Sequence, residues 1–164
     1  MEKIKIKLLD GYLPKKGSEY AAAYDVRVPH DIELKNGRQV ISLGFLMELP
    51  HGHGALMQAR SGFTAKGIEC LHIKQRLFRK DLEETVRVDA DVELGLIDED
   101  YRDGVGILLH MHQSIRRNEM FIIKRGTRIA QMRIVAIPDT EIIDSECLDM
   151  SKNRGGGYGH SGAK

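Results

Sequence analysis

The sequence of 164 residues has only two cysteines, Cys70 and Cys147, too few for a disulfide framework. No stretch approaches the roughly eighteen consecutive apolar residues of a membrane span, so no membrane partner is expected. The opening MEKIKIKLLD is charged and alternating and lacks the apolar run of a secretory signal. Free thiols in a reducing cytoplasm are the simplest expectation. Net charge is missing too: 25 Lys and Arg face 24 Asp and Glu, a formal +1. That balance removes the electrostatic case for a long polyanion such as DNA, and no nucleic-acid partner is expected. A small phosphate ligand needs only a few local cations and stays open.

Several nucleotide and metal signatures are also absent. No Gly-Lys-Ser/Thr marks a Walker loop, and the zinc-deaminase pattern H-x-E with P-C-x-x-C does not occur. His51-x-His53 and His110-x-His112 have the spacing of one strand face, but the cysteines complete no zinc-ligand spacing. Exposed or partly buried histidines are expected there. The ending NRGGGYGHSGAK has five glycines in its last ten positions, and Gly157 to Gly162 fits G-x-G-x-x-G. A dinucleotide fingerprint needs a helix after that loop, and only Ala163 and Lys164 follow. Two readings of the tail remain. It is a disordered end, or it is a lid in which Arg154, Tyr158, His160, Ser161 and free backbone N–H groups fold over an anion.

What is present is mostly β. Lys3 to Leu9 alternates, and DVRV, DIEL, QVISLGFLMEL, ALMQA, VRVDADVEL, GVGILLHMH, EMFIIK and RIAQMRIVAI are short β-branched or alternating runs. Turn residues such as Asn36-Gly37, Arg102-Asp-Gly104 and Lys124-Arg-Gly126 separate them. Many short strands in one domain predict an all-β sandwich or distorted barrel, jelly rolls included. One stretch differs: in KQRLFRKDLEETV, Phe78, Leu82 and Val86 fall four apart, as in a helix, but the charge order opposes the helix dipole. A short helix and an exposed excursion are both compatible.

Four places carry residues suited to chemistry. In ARSGFTAKGI, Arg60, Ser61 and Gly62 offer a guanidinium, a hydroxyl and accessible backbone N–H groups, a compact phosphate set. An ordinary turn after a strand is the plain alternative. GLIDEDYRDGVGILL reads as strand, turn, strand. Its acids suit a solvent-facing turn, but Asp98 directly follows the apolar Leu96-Ile97 and could stand at a pocket mouth as a general base. Tyr101 could present its ring to a flat or sugar-like ligand, and Gly95 and Gly106 would allow close backbone approach. Gln131, with Arg128 nearby, sits between Ala130 and Met132 and could point into a pocket. Asp25 in AAAYDVRV gains interest if a cation must be held near phosphates.

In order, these pieces resemble the five motifs of the trimeric dUTP pyrophosphatase (dUTPase) family. AAYDV resembles A-G-Y-D-L, RSGFTAKGI resembles R-S-G-L-A-x-K-x-G-I, and GLIDEDYRDGVGILL resembles G-V-I-D-x-D-Y-R-G. RGTRIAQM resembles G-D-R-I-A-Q-L, and RGGGYGHSG resembles the Arg-Gly-aromatic-Gly tail. The resemblance implies a jelly-roll-like protomer in a homotrimer with shared sites, over residues 1–150, with a flexible lid at 151–164. It implies hydrolysis of dUTP to dUMP and pyrophosphate by Mg²⁺-assisted water attack at the α-phosphorus, lowering dUTP and supplying dUMP for thymidylate synthesis.

By motif position, Asp98 matches the carboxylate that activates water, and Tyr101 the ring that packs on deoxyribose. Gly95, Leu96, Ile97 and Gly106 match the uracil-reading backbone. Arg60, Ser61, Gly62 and Gln131 match phosphate ligands, and Asp25 the residue that holds Mg²⁺ through water. Arg154, Tyr158, Gly159 and Ser161 match the closing tail. Some positions depart from the pattern: Ala23 replaces Gly, Thr127 replaces Asp, His160 stands where Ser is commoner, and about 22 residues near Glu69–Ala90 form an insertion, expected to project as an arm. A dCTP deaminase-like enzyme of the same fold is the alternative, as is a nucleotide-sensing regulator with a protein partner.

Overall fold

The computed structural model describes residues 2–77 and 80–153. Fourteen strands run in chain order: β1 (Lys5–Leu8), β2 (Lys15–Lys16), β3 (Tyr24–Arg27), β4 (Ile32–Glu33), β5 (Gly37–Ser42), β6 (Phe45–Glu48) and β7 (His53–Ala59) precede the helix α1 (Ser61–Lys66). After it come β8 (Ile68–Lys74), β9 (Leu82–Val88), β10 (Ala90–Val92), β11 (Gly95–Ile97), β12 (Gly106–Met111), β13 (Glu119–Ile123) and β14 (Arg128–Ala136). They assemble into four sheets, ordered β1-β6, β10-β12-β5, β11-β7-β14-β3-β2 and β4-β13-β8-β9. All the pairings are antiparallel. The result is the expected all-β, jelly-roll-like arrangement, packed as sheets rather than closed as a barrel.

Alternation builds the core. Along β12, Ile107, Leu109 and Met111 are buried while Leu108 is exposed, because successive side chains leave opposite faces of a strand. Phe45, Ile41, Leu43, Met57, Ile123, Ile129 and Met132 complete one apolar cluster with them. Each such side chain contributes roughly 1.5–3 kcal/mol on burial. The run QVISLGFLMEL does not stay one strand. β5 pairs with β12 and β6 pairs with β1, so the chain changes sheet at Leu43-Gly44. Val105 ties the crossing together: it accepts from the Leu43 N–H and donates to the Phe45 carbonyl, both at 2.9 Å.

Two expectations are corrected. ARSGFTAKGI does not make a simple turn; Ser61–Lys66 is a short helix that buries Phe63 and ends at Gly67. The stretch around KQRLFRKDLEETV contains no helix among its described residues, because Leu82–Val88 pairs along its whole length with Ile68–Lys74. The insertion is a β-hairpin. Its first strand also pairs with β13, which leaves β9 as a sheet edge. Backbone pairing overrode the four-residue apolar spacing. Among the described residues, no helix is long and apolar enough to cross a membrane.

Candidate active site

Gly95, Leu96, Ile97, Asp98, Tyr101 and Gly106 come together around a cavity of about 360 Å³. The gap arises from topology. β11 is the edge of the five-stranded sheet, pairing only with β7 from Gly95↔Met57 to Ile97↔Ala55. β12 belongs to another sheet and begins opposite Ser42. One side of the β11 backbone therefore has no strand partner and lines the opening, a surface of N–H and C=O groups suited to a flat polar heterocycle. Gly106 keeps the wall thin: a Cβ there would come within 3.0 Å of the Ile41 carbonyl oxygen and 3.4 Å of Val40 Cγ1.

The turn that follows β11 holds the rim. The Tyr101 N–H donates to the Asp98 carbonyl at 3.2 Å, and the Tyr101 hydroxyl donates to the Gly104 carbonyl at 3.1 Å. Glu99 accepts from the Gly52 N–H at 2.7 Å and pairs with His51 Nδ1 at 3.0 Å. This pins the turn to the start of β7 and leaves the Asp98 side chain exposed. The hydrogen bond and the charge of Glu99 raise His51 above its ordinary 6.5. The bonds from His51 and Gly52 hold Glu99 below its ordinary 4.5.

A second group forms on the same five-stranded sheet. Asp25 on β3 lies opposite Gln131 on β14, which lies opposite Gln58 on β7. Asp25 Oδ1 accepts from Arg60 Nε at 3.0 Å and Gln131 Nε2 at 3.3 Å, and Oδ2 accepts from Arg128 at 3.1 Å. Asp25 is only 8 % exposed, the one buried charged residue among those described. Burial pushes its carboxyl up, but the Arg60 charge and the bonds from Gln131, Arg128 and Arg60 together hold it below the usual 3.8. Ser61 and Gly62 follow Arg60 directly and stand exposed at the start of α1.

Arg128 is part of this cluster, although its spacing from Gln131 hid it. Three residues apart on a regular strand, the two would face opposite sides. A register shift between Arg128 and Ala130 breaks that rule. The bulge brings both side chains to Asp25 and leaves Ile129 and Ala130 buried in succession. In the sequence, the adjacent apolar pair Ile129-Ala130 was the available signal.

The two groups are not brought together within one chain. Gly54, on the row next after Ala55↔Ile97, is four residues along β7 from Gln58, and β3 is three strands from β11. At about 3.3 Å per residue and about 4.8 Å per strand, Asp98 and Asp25 stand roughly 20 Å apart. Metal ligation fares similarly. No group of three or more His, Cys, Asp or Glu able to hold a metal exists among the described residues. Both oxygens of Asp25 are already engaged by cationic or amide donors, so this set does not make a resident metal site. Arg154, Tyr158, Gly159 and Ser161, with His160, lie outside the described residues.

The dUTPase family model matches residues 10–90 and 83–162. The chain belongs to the dUTPase family. The deoxyuridine 5'-triphosphate nucleotidohydrolase of Nautilia profundicola is 32% identical over 98% of this chain and 99% of its own length. The rice protein of the same name is 30% identical over 97% of this chain and 80% of its own. Among solved structures, the Staphylococcus bacteriophage 80alpha dUTPase with dUPNHPP superimposes with a TM-score of 0.75 at 22% identity, covering 99% of both chains. A mutant dUTPase from phage phi11 of S. aureus, described with a structural Mg(II) ion, gives 0.71 at 18% identity, over 90% of this chain and 99% of its own. These two likenesses establish a shared fold. The deaminase alternative finds no support among these relatives.

Proposed function

We propose that this dUTPase-family chain hydrolyses dUTP to dUMP and pyrophosphate. The observation that carries the reading is the cavity between β11 and β12, with Asp98 and Tyr101 at its rim. Uracil enters edge-on against the backbone of Gly95, Leu96, Ile97 and Gly106. A fixed main-chain surface rejects cytosine by its reversed donor pattern and thymine by its methyl group. The Tyr101 ring lies under the deoxyribose and leaves no room for a 2′-hydroxyl. Asp98 orients a water toward the α-phosphorus and takes its proton as the P–O bond forms, while pyrophosphate leaves.

Arg60, Ser61, Gly62 and Gln131 hold the phosphates, with Asp25 orienting the first and last of these. Mg²⁺ would arrive with the triphosphate and offset its charge; Asp25 is the residue that would face it, through water. By their match to the tail motif, Arg154, Tyr158, Gly159 and Ser161 are assigned the remaining nucleotide contacts.

The separation of Asp98 from the Asp25 cluster supports a site shared between copies, one giving the uracil hairpin and another the phosphate ligands. Exposed apolar side chains at Val40, Leu94, Leu96, Ile142, Ile143 and Leu148 also favour assembly. A homotrimer with three equivalent sites is the proposed form. The setting is cytoplasmic, which suits two free cysteines, of which Cys70 is buried with its thiol pushed up to about 12.

The test is pyrophosphate release from each deoxynucleoside triphosphate and from UTP, with Mg²⁺ present. Strong selectivity for dUTP is expected, and equal rates on dCTP or UTP would sink the reading. Sedimentation analysis giving a monomer under assay conditions would remove the shared site.

A further inference from the structure

Beside the Asp25 cluster lies a second cavity, of about 390 Å³. Arg60, Lys66, Arg87 and Arg128 line it, against a single carboxylate, Glu69. Four cations and one acid leave a formal +3 at the wall, or +2 when Asp25, bonded to Arg60 and Arg128, is counted too. Arg60 belongs to the phosphate set already described. Lys66 and Arg87 do not, and Arg87 comes from the insertion hairpin, on its edge strand β9.

The hairpin root is fixed against α1. Gly67 ends the helix at φ +73°, and a Cβ there would come within 2.5 Å of the Val88 carbonyl oxygen. Beside that contact, the Arg87 guanidinium donates to the Gly67 carbonyl at 3.1 Å and to Glu69 Oε2 at 3.2 Å. Two of its five N–H groups are thus used, and the rest are free to meet a ligand. Lys66, in the last turn of α1, is exposed and has no ion-pair partner among the described residues. One unpaired cation, Lys66, and three others that share only Glu69 and Asp25 leave a positive wall around a concave opening, which favours a compact multivalent anion.

We infer that Lys66 and Arg87 extend the phosphate site into a diphosphate subsite. It takes the terminal two phosphates of the substrate and holds pyrophosphate before release. The insertion hairpin is then part of the binding machinery and not a bare surface arm. The identity of the substrate rests on the dUTPase reading; the preference for a diphosphate rests on the cavity and its cations.

Inorganic pyrophosphate is the probe, titrated calorimetrically into the full chain without nucleotide, alongside steady-state kinetics with dUTP. Lys66→Ala and Arg87→Ala are each expected to weaken pyrophosphate binding about five- to tenfold. They should raise KM for dUTP more than they lower kcat, and leave dUMP affinity unchanged. Arg87→Lys should recover part of the loss. Glu69→Gln is expected to tighten pyrophosphate binding, because it frees Arg87 and removes the competing acid. A purely structural clamp by Arg87 predicts no effect from Lys66→Ala and no gain from Glu69→Gln. Unchanged pyrophosphate affinity in Lys66→Ala and Glu69→Gln overturns the subsite, even if Arg87→Ala fails to fold. A wild-type chain that binds pyrophosphate but releases none from dUTP overturns the substrate and leaves the subsite standing.

Discussion

The β11–β12 cavity and the Asp25 cluster are built by opposite means. The cavity is a gap between two sheets, and its recognition surface is mainly backbone. Its shape follows from strand register and from the thin wall at Gly106. The cluster is made of side chains from β3, β14 and Arg60 at the junction of β7 and α1, converging on one buried carboxylate. Geometry governs the first and charge governs the second. The first should therefore answer to steric change and the second to pH and charge removal.

The largest expected effect tests where the chemistry sits. Asp98→Asn keeps the shape of the rim but removes the base, so kcat should fall at least about 100-fold. Affinity for a non-hydrolysable dUTP analogue should stay within about threefold of wild type if Asp98 is the base and not a binding group. Near-normal turnover in a single-turnover assay would move the chemistry away from the hairpin.

Next comes a steric change to the cavity. Gly106→Ala forces a methyl against Ile41 and Val40, which should cost about 1–3 kcal/mol in urea unfolding and raise KM for dUTP. A full-strength variant would show that the wall is softer than the β5–β12 pairing implies.

Asp25→Asn tests the charge side. Replacing a buried, triply bonded carboxylate should cost about 1–3 kcal/mol at neutral pH. The pH dependence has a definite sign. Asp25 has a folded value below 3.8, so its contribution is complete above 3.8 and is lost as pH falls through the lowered value. Melting curves of the two proteins should converge in that acid window. Convergence at higher pH would mean another group carries the effect.

The smallest effect lies at the turn. His51 is raised above 6.5 by Glu99, so their pairing is complete below 6.5 and fades as pH rises through the raised value. NMR titration should show His51 returning toward 6.5 in Glu99→Gln. An unmoved titration would separate the turn from Glu99.

Much of the sheet structure was legible because alternation is a local property. Gly106–Met111, Glu119–Ile123 and Arg128–Ala136 all fall inside runs recognised by their pattern, and Tyr24–Arg27 overlaps one of them. The errors share a cause. Phe78, Leu82 and Val86 imitate a helical stripe, but Leu82–Val88 found a full-length partner in β8. IECLHIK stands outside the runs recognised by pattern, yet β8 is paired on both sides. Of the site, Asp98, Tyr101 and the glycines were visible because they lie within one hairpin-like segment. Arg128 was underrated because a bulge changed which face it occupies.

The sequence by itself determined the family, the β class and the chemistry of each motif, because each of these resides in a few neighbouring residues. Tertiary structure alone decided which motifs meet. Asp25 reaches Arg128 and Gln131 across 103 and 106 residues of chain, and Arg87 reaches back 20 residues to Gly67. Contacts at such separations are set by strand register and by where a bulge falls, and both depend on burying a whole sheet face at once.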